Sequence, residues 1–191
     1  VVFPTKVRAK LKKVGLPTGR VQALIVPISA VGATPASVTA GSFVVGKTYQ
    51  ITTIGTTTFT SIGAAANTIG YIFTATGVGT GTGTAIEVTA QSNLIDVSKF
   101  TTSYDYYQFQ FTIDNKEAGT PGAYSQTMSA SGWYMVLIQR DATTAGTADG
   151  SNYVASDSSA TDSTASQQKF TATSYATYAT QATNDLWIEV Y

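Results

Sequence analysis

The stretch from Ala40 to Glu87 constrains the fold more than any other part of the chain. It reads AGSFVVGKTYQITTIGTTTFTSIGAAANTIGYIFTATGVGTGTGTAIE, with Lys47 and Glu87 as its only charged residues. It carries no helical periodicity. Phe43 to Val45 leads into a turn at Gly46. Lys47 to Ile54 alternates and places Tyr49, Ile51 and Thr53 on one face, which predicts a strand. Gly55 closes that strand. Phe59 to Ile62 is a short apolar piece, Gly63 to Asn67 a turn or a single helical turn, and Tyr71 to Thr76 a second strand. A Gly-Thr alternation from Gly79 to Thr84 follows. A phosphate loop needs glycines that open a helix and, in the P-loop, a following Lys-Ser/Thr pair. No lysine follows here, and the flanks are strands. The run therefore reads as small residues at a place where another backbone comes close.

The residues before this stretch are basic and punctuated by proline. Lys6, Arg8, Lys10 and Lys12 alternate with Val7, Ala9 and Leu11, a period of two that predicts an extended strand or arm. Pro4, Pro17, Pro27 and Pro35 exclude a long helix. Val21 to Ile28 is an apolar strand candidate, and Pro27 places it at an edge or an end. Lys6, Arg8, Lys10, Lys12, Lys13 and Arg20 are the candidate docking residues of this arm, directed at an acidic neighbour. Nucleic acid is set aside as their partner, because no stacking aromatics are interleaved with them beyond Phe3.

After Glu87 the strands continue. Tyr107, Phe109, Phe111 and Ile113 alternate with Gln108, Gln110 and Thr112, which predicts an antiparallel strand with one buried face. In Ser131 to Arg140 both faces are apolar, so this strand is expected to be central or clamped between layers. Asp141 to Ser166 is rich in Ala, Thr, Ser, Asp and Gly and reads as a long loop, or as short strands joined by loops. Loops of that length in compact domains are usually functional or mobile. Asp149, Asn152 and Tyr153 are its candidate surface-recognition residues, since Tyr offers an apolar body with a polar tip. Phe170 to Thr180 and Leu186 to Tyr191 supply the last strands.

The fold expected from this pattern is all-β: a small antiparallel strand module and a jelly-roll-like β-sandwich, with an extended N-terminal arm. The divisions are a basic arm and edge strand at 1–39, the module at 40–90 and the sandwich at 91–191. The module is either a separate domain or an insertion. The similar flanks Val38-Thr39-Ala40 and Val88-Thr89-Ala90 favour an insertion, which would bring Ala30 to Thr39 beside Gln91 to Val97.

Composition narrows the chemistry. The chain has no His and no Cys, which removes Ser-His and Cys-His catalysis. The acids are scattered one per turn or loop, as solvated turns are. Asp141, Asp149, Asn152, Asp157 and Asp162 lack the alternate-residue spacing of a calcium loop. No catalytic residue, metal site or cofactor is therefore expected, and the chain is not expected to be an enzyme. No run of eighteen or more apolar residues is present, so no membrane span is expected. Charged residues are only 12% of the chain, which leaves little electrostatic defence against self-association. Net charge is zero, yet residues 1–86 hold seven Lys or Arg and no acid, while residues 87–191 hold four basic and eleven acidic residues. Such a dipole can orient packing in an oligomer.

The pattern Ala40-Gly41, Phe43 to Gly46, Tyr49, Ile51, Gly55 to Thr57, Phe59-Thr60, Ile62 to Ala64, Asn67-Thr68, Gly70, Phe73 to Gly77 and Gly79 to Ala85 resembles a module of structural proteins from tailed phages, particularly marine and cyanobacterial ones. Asn93 to Ser98, Phe100, Tyr104-Asp105, Tyr107, Phe109 and Phe111 resemble the opening of β-sandwich domains in phage tail fibres. Asn115 to Tyr124 departs from that second pattern, lacking its short polar turn. The resemblance implies a virion structural protein, expected to be a tail fibre or appendage component contributing to host attachment. It implies a homo-oligomer, with a trimer by analogy, other virion proteins as partners, and a glycan or protein of the host surface. A capsid decoration protein stabilising the head is the alternative. A secreted bacterial adhesin or glycan-binding module is a further one.

Overall fold

The computed structural model describes residues 5–30, 32–111 and 132–143, together with the backbone of four later strands and the side chain of Val154. The protein is all-β. Its strands are β1 (Lys6–Val14), β2 (Arg20–Ile28), β3 (Ser37–Thr39), β4 (Thr48–Thr53), β5 (Ile72–Thr74), β6 (Thr84–Glu87), β7 (Ala90–Gln91) and β8 (Ile95–Asp96). These are followed by β9 (Asp105–Gln110), β10 (Trp133–Arg140), β11 (Tyr153–Ser156), β12 (Lys169–Ser174), β13 (Thr177–Gln181) and β14 (Ile188–Val190). All pairings are antiparallel, and β12 and β13 form a hairpin of their own. No helix of the described residues is long and apolar enough to cross a membrane.

The outer sheet is built around β1. One edge pairs with β9 from Lys6↔Gln110 to Leu11↔Asp105. The other pairs with β14 at Val7 to Ala9 and with β11 at Leu11 to Val14. The expectation of an N-terminal docking arm is corrected here. Lys6–Val14 is extended, but it is the central strand of a sheet. Its small and apolar residues explain why: Val7, Ala9 and Leu11 are all buried, and a strand that buries one face completely needs a sheet to lie in. Ala9 stands opposite Tyr107, leaving room for that ring, which packs on Phe100 at a centroid distance of 4.2 Å.

The middle sheet is built around β2. β10 pairs with its whole length, from Trp133↔Ile28 to Arg140↔Val21. β7 and β8 share the other edge, at Ile25↔Ala90, Leu24↔Gln91 and Arg20↔Asp96. Pro27 lies near the end of β2, beyond the reach of β7, so its missing N–H interrupts no ladder on that edge. Alternate residues of β2 serve two cores. Val21, Ala23 and Ile25 meet Val7, Ala9, Leu11, Phe109 and Phe111 of the outer layer. Leu24 and Val26 turn the other way and pack with Met135, Ile86 and Val88. β10 divides likewise, with Tyr134, Val136 and Ile138 on the first core and Met135 and Leu137 on the second. That is why both faces of these strands are apolar, and β10 is clamped between layers as its sequence predicts.

The third layer is the module. Its sheet runs β3-β6-β4-β5. One face carries Tyr49, Ile51, Phe73 and Ala85 into a private core with Phe43, Phe59, Ile62, Ala64 and Ala75. The other face sends Ile72 and Ile86 to the middle sheet. The module is an excursion from that sheet: the chain leaves at Ile28 and returns at Ala90, beside Ile25. The neighbours differ from those expected. β2 lies beside β7 and β8, while Ser37–Thr39 belongs to the module's own edge, opposite Ile86 to Thr84. The N-terminal residues therefore supply the central strand of both the outer and the middle sheet.

The Gly-Thr run is a clasp. Thr56 N–H donates to Thr82 Oγ1 and Thr82 N–H donates to Thr56 Oγ1, both at 3.2 Å. Gly83 N–H donates to Thr57 Oγ1 at 2.8 Å, and Thr84 N–H to Thr53 Oγ1 at 3.1 Å. Thr53 and Gly-Thr-Thr at 55–57 thus bond with Gly-Thr-Gly-Thr at 81–84, and the Gly83 N–H, the buried one of these donors, would be costly to leave unpaired. The close backbone approach expected of the run is observed. Lys47 and Glu87, the only charges of Ala40 to Glu87, pair with each other at 2.9 Å.

Candidate interaction surface

The outward face of the outer sheet gathers most of the expected docking residues. Because Val7, Ala9 and Leu11 point inward, Lys6, Arg8, Lys10 and Lys12 point outward, spaced about 7 Å apart along the strand. β9 lies alongside with Lys6↔Gln110, Arg8↔Gln108 and Lys10↔Tyr106 in register. Phe109 is buried, so Gln108 and Gln110 are exposed. Tyr106 and the preceding Tyr104 are 39% and 38% exposed. The Arg8 guanidinium carbon sits 5.1 Å from the Tyr106 ring centroid, and the Lys12 ammonium 4.4 Å from that of Tyr104. Cation–π contacts at exposed sites contribute about 0.5–1 kcal/mol each. They hold the two cationic heads at a fixed height over the sheet. On the far edge, Glu189 stands opposite Arg8 in the β14 register.

Two of the expected docking residues lie elsewhere. Lys13 is half-buried at the end of β1, on the core side, and its N–H donates to Thr101 O at 2.9 Å. Arg20 opens β2 and is paired with Asp141, Nη2 to Oδ2 at 3.2 Å. Asp141 is buried just beyond β10. It accepts from Thr143 N–H at 2.9 Å and from Thr143 Oγ1, while its own N–H donates to Arg20 O at 2.8 Å. This group pins the start of β2 to the end of β10, so Arg20 is a structural residue. Asp141→Asn is expected to cost about 1–2 kcal/mol, because a buried acceptor is replaced by a donor facing an arginine. Arg20→Gln should cost less, since the Arg20 side chain is 39% exposed. Urea titrations of both variants check this order.

Opposite Arg20, Asp96 caps the short 3-10 turn at Val97–Lys99. Hydrogen bonds from the Ser98 side chain and backbone hold its carboxyl below its ordinary pKa. The stabilisation from this cap is present above the ordinary Asp value and is lost as pH falls through the depressed one.

The expected recognition residues fall at the margin of the structure. Tyr153 opens β11, its backbone opposite Val14. Asp149 and Asn152 lie outside the described residues. Sequence reasoning missed Tyr104, Tyr106, Gln108 and Gln110 as members of the basic face. Their outward alternation was legible, but their neighbour was not, since it comes from the other end of the chain. No family model, curated protein or solved structure matches this chain.

Proposed function

We propose that the protein is a non-catalytic structural component of a tailed-phage particle, an appendage subunit that contributes to host attachment. The observation that carries this reading is the cation–tyrosine–glutamine face of the outer sheet. Its tyrosines and glutamines are exposed, its cations are half-buried, and paired strands hold it on both sides of β1. Exposed tyrosines and amides beside a row of cations are the kind of groups a recognition surface uses. The resemblance of the module to phage structural proteins supports the same reading, as does the low charge, which suits a homo-oligomer in an assembly. The appendage and capsid-decoration readings both give the basic residues the role of a docking arm, and Lys6–Val14 is instead the central strand of a sheet.

Truncation of the first twenty residues is not a test of docking, because it removes the central strand of the outer sheet. Quantitative mass spectrometry of purified particles is. Low copy number, in a small multiple of the oligomer, is the expected result. Hundreds of copies would transfer the protein to the capsid surface, and its absence from particles would overturn the reading.

A further inference from the structure

We infer that the outer edge of β3 pairs with β3 of a second copy of this chain, antiparallel about a two-fold axis at Val38. This names an interface for the homo-oligomer of the attachment reading and rests on that reading. The ladder fixes which backbone groups are on offer. Ala40 N–H donates to Gly83 O at 2.9 Å, and Val38↔Ala85 lies two residues back in the same register. Val38 and Ala40 therefore aim their N–H and C=O groups at β6, while Ser37 and Thr39 aim theirs away from it. Ser37 and Thr39 are both exposed. The Ser37 N–H and C=O and the Thr39 N–H have no partner among the described residues. Thr39 O accepts from Ser42 N–H at 3.0 Å and keeps a second lone pair.

The module covers its other edge. Beside β5, Thr76 N–H donates to Ile62 O at 2.9 Å, and the Gly63 backbone lies so close to Thr74 O that a Cβ there would clash with it. β3 has no such cover. Exposed edges are usually blunted by lysines or bulges. From Val21 to Gly46 there is no charged residue, and the β3–β6 register is unbroken. The charges of the module, Lys47 and Glu87, are bonded to each other. A second copy therefore meets this edge without repulsion, and the edge matches itself. With Ser37 opposite the other copy's Thr39, every N–H on one side faces a C=O on the other, and the two module sheets join into one. The two Val38 side chains, half-buried against their private cores, then adjoin at the axis. Pro35 has no N–H to extend the ladder, so the contact closes as a pair. It is small beside the ~800 Å² per partner of a standard interface. Its place is accordingly within an assembly that holds copies at high local concentration. A foreign strand would use the same donors but would not bring Val38 against Val38.

That juxtaposition is the test. The chain has no cysteine, and residues facing each other in a non-hydrogen-bonded pair stand about 4.5 Å apart at Cα, within disulfide range. Full-length Val38→Cys in a glutathione redox buffer is expected to give at least about tenfold more disulfide-linked dimer than Thr76→Cys, whose site is exposed but lies outside β3. Adding Ser37→Lys and Thr39→Lys to Val38→Cys puts like charges opposite each other and should lower the dimer yield at least about threefold. Adding Ser37→Lys and Thr39→Glu instead puts opposite charges there and should restore it. Each of these side-chain changes is at an exposed position, so the melting temperature should differ by no more than about 2 °C between the two charge variants. Equal yields for Val38→Cys and Thr76→Cys, or for the two charge variants, overturn the inference and leave the edge to a foreign strand. The attachment reading fails separately, if the protein is absent from particles while the Val38→Cys dimer forms.

Discussion

Replacing Gly83 with alanine is expected to destabilise the protein by about 2–3 kcal/mol, with a fall in melting temperature of about 5–10 °C for a chain of this size. A Cβ built at Gly83 would meet Ile54 O at 2.5 Å and both Thr57 Cβ and Thr57 Oγ1 at 2.7 Å. The backbone has no freedom to retreat. Gly83 N–H is bonded to Thr57 Oγ1 at 2.8 Å, and its carbonyl accepts from Ala40 N–H at 2.9 Å. Gly41 supplies the contrast. It has a φ of +97° with nothing within 4 Å of its would-be Cβ, so Gly41→Ala tests backbone strain alone, at about 1 kcal/mol. Differential scanning calorimetry of the two variants separates the effects. If Gly83→Ala costs no more than Gly41→Ala, close approach is not what the Gly-Thr run provides.

Phe73→Ala should be more damaging, by about 3–5 kcal/mol. Phe73 is 4% exposed and, like Phe43, touches the three other rings of the buried aromatic cluster. Its ring centroid lies 5.9 Å from Phe43, 6.1 Å from Tyr49 and 5.5 Å from Phe59, edge-on to the first and last. Edge-to-face pairs add about 0.5–1.5 kcal/mol beyond buried area, and alanine forfeits all three contacts while leaving a cavity. Phe73→Leu keeps most of the volume and should cost about 1–1.5 kcal/mol. Guanidinium titrations followed by near-UV circular dichroism read both. Equal losses for Ala and Leu would mean that the ring geometry, and not the filled volume, holds this core.

Periodicity carried most of the fold. The alternation of Tyr49 and Ile51, the buried Phe109 and Phe111, and the doubly apolar 131–140 segment each report a local fact: which faces of one strand meet apolar neighbours. In the structure Tyr49, Ile51, Phe109 and Phe111 are buried and β10 meets a core on each face, while Thr53 and Trp133 are exposed. Pairing is a different kind of information. Nothing within Lys6 to Val14 says that its partners begin at Asp105, Tyr153 and Ile188, because strand partners in an antiparallel sheet are chosen by the whole hydrophobic pattern and by turn geometry. For that reason a central strand reads, by itself, like a free arm. The interaction surface was half legible on the same account. Its cations stand in one strand and were visible together, whereas the tyrosines and glutamines arrive from another. Arg20 resembled its basic neighbours until a buried carboxylate more than a hundred residues away claimed it. The clasp between Gly55 to Thr57 and Gly81 to Thr84 was visible only as composition, since reciprocal hydroxyl bonds leave no periodic trace.

The excursion between β2 and β7 has a kinetic consequence. Pairing those strands in an unfolded chain means closing a loop of about 60 residues, and the entropic cost of closure rises with the logarithm of length. The module's sheet is made wholly from its own residues, and its β3–β6 pair brings Ser37 against Ile86. Once it has folded, only the short tethers at its two ends remain to be closed. The effective loop shrinks severalfold, which lowers the closure cost by about 1.5 kcal/mol. The module then acts as a splint that sets the middle sheet. A destabilised module is felt first as slow assembly of the middle sheet it packs against, so in the Phe73→Leu protein the folding rate is expected to fall while the unfolding rate holds. The least charged part of the chain thus sets the pace at which the middle sheet is made.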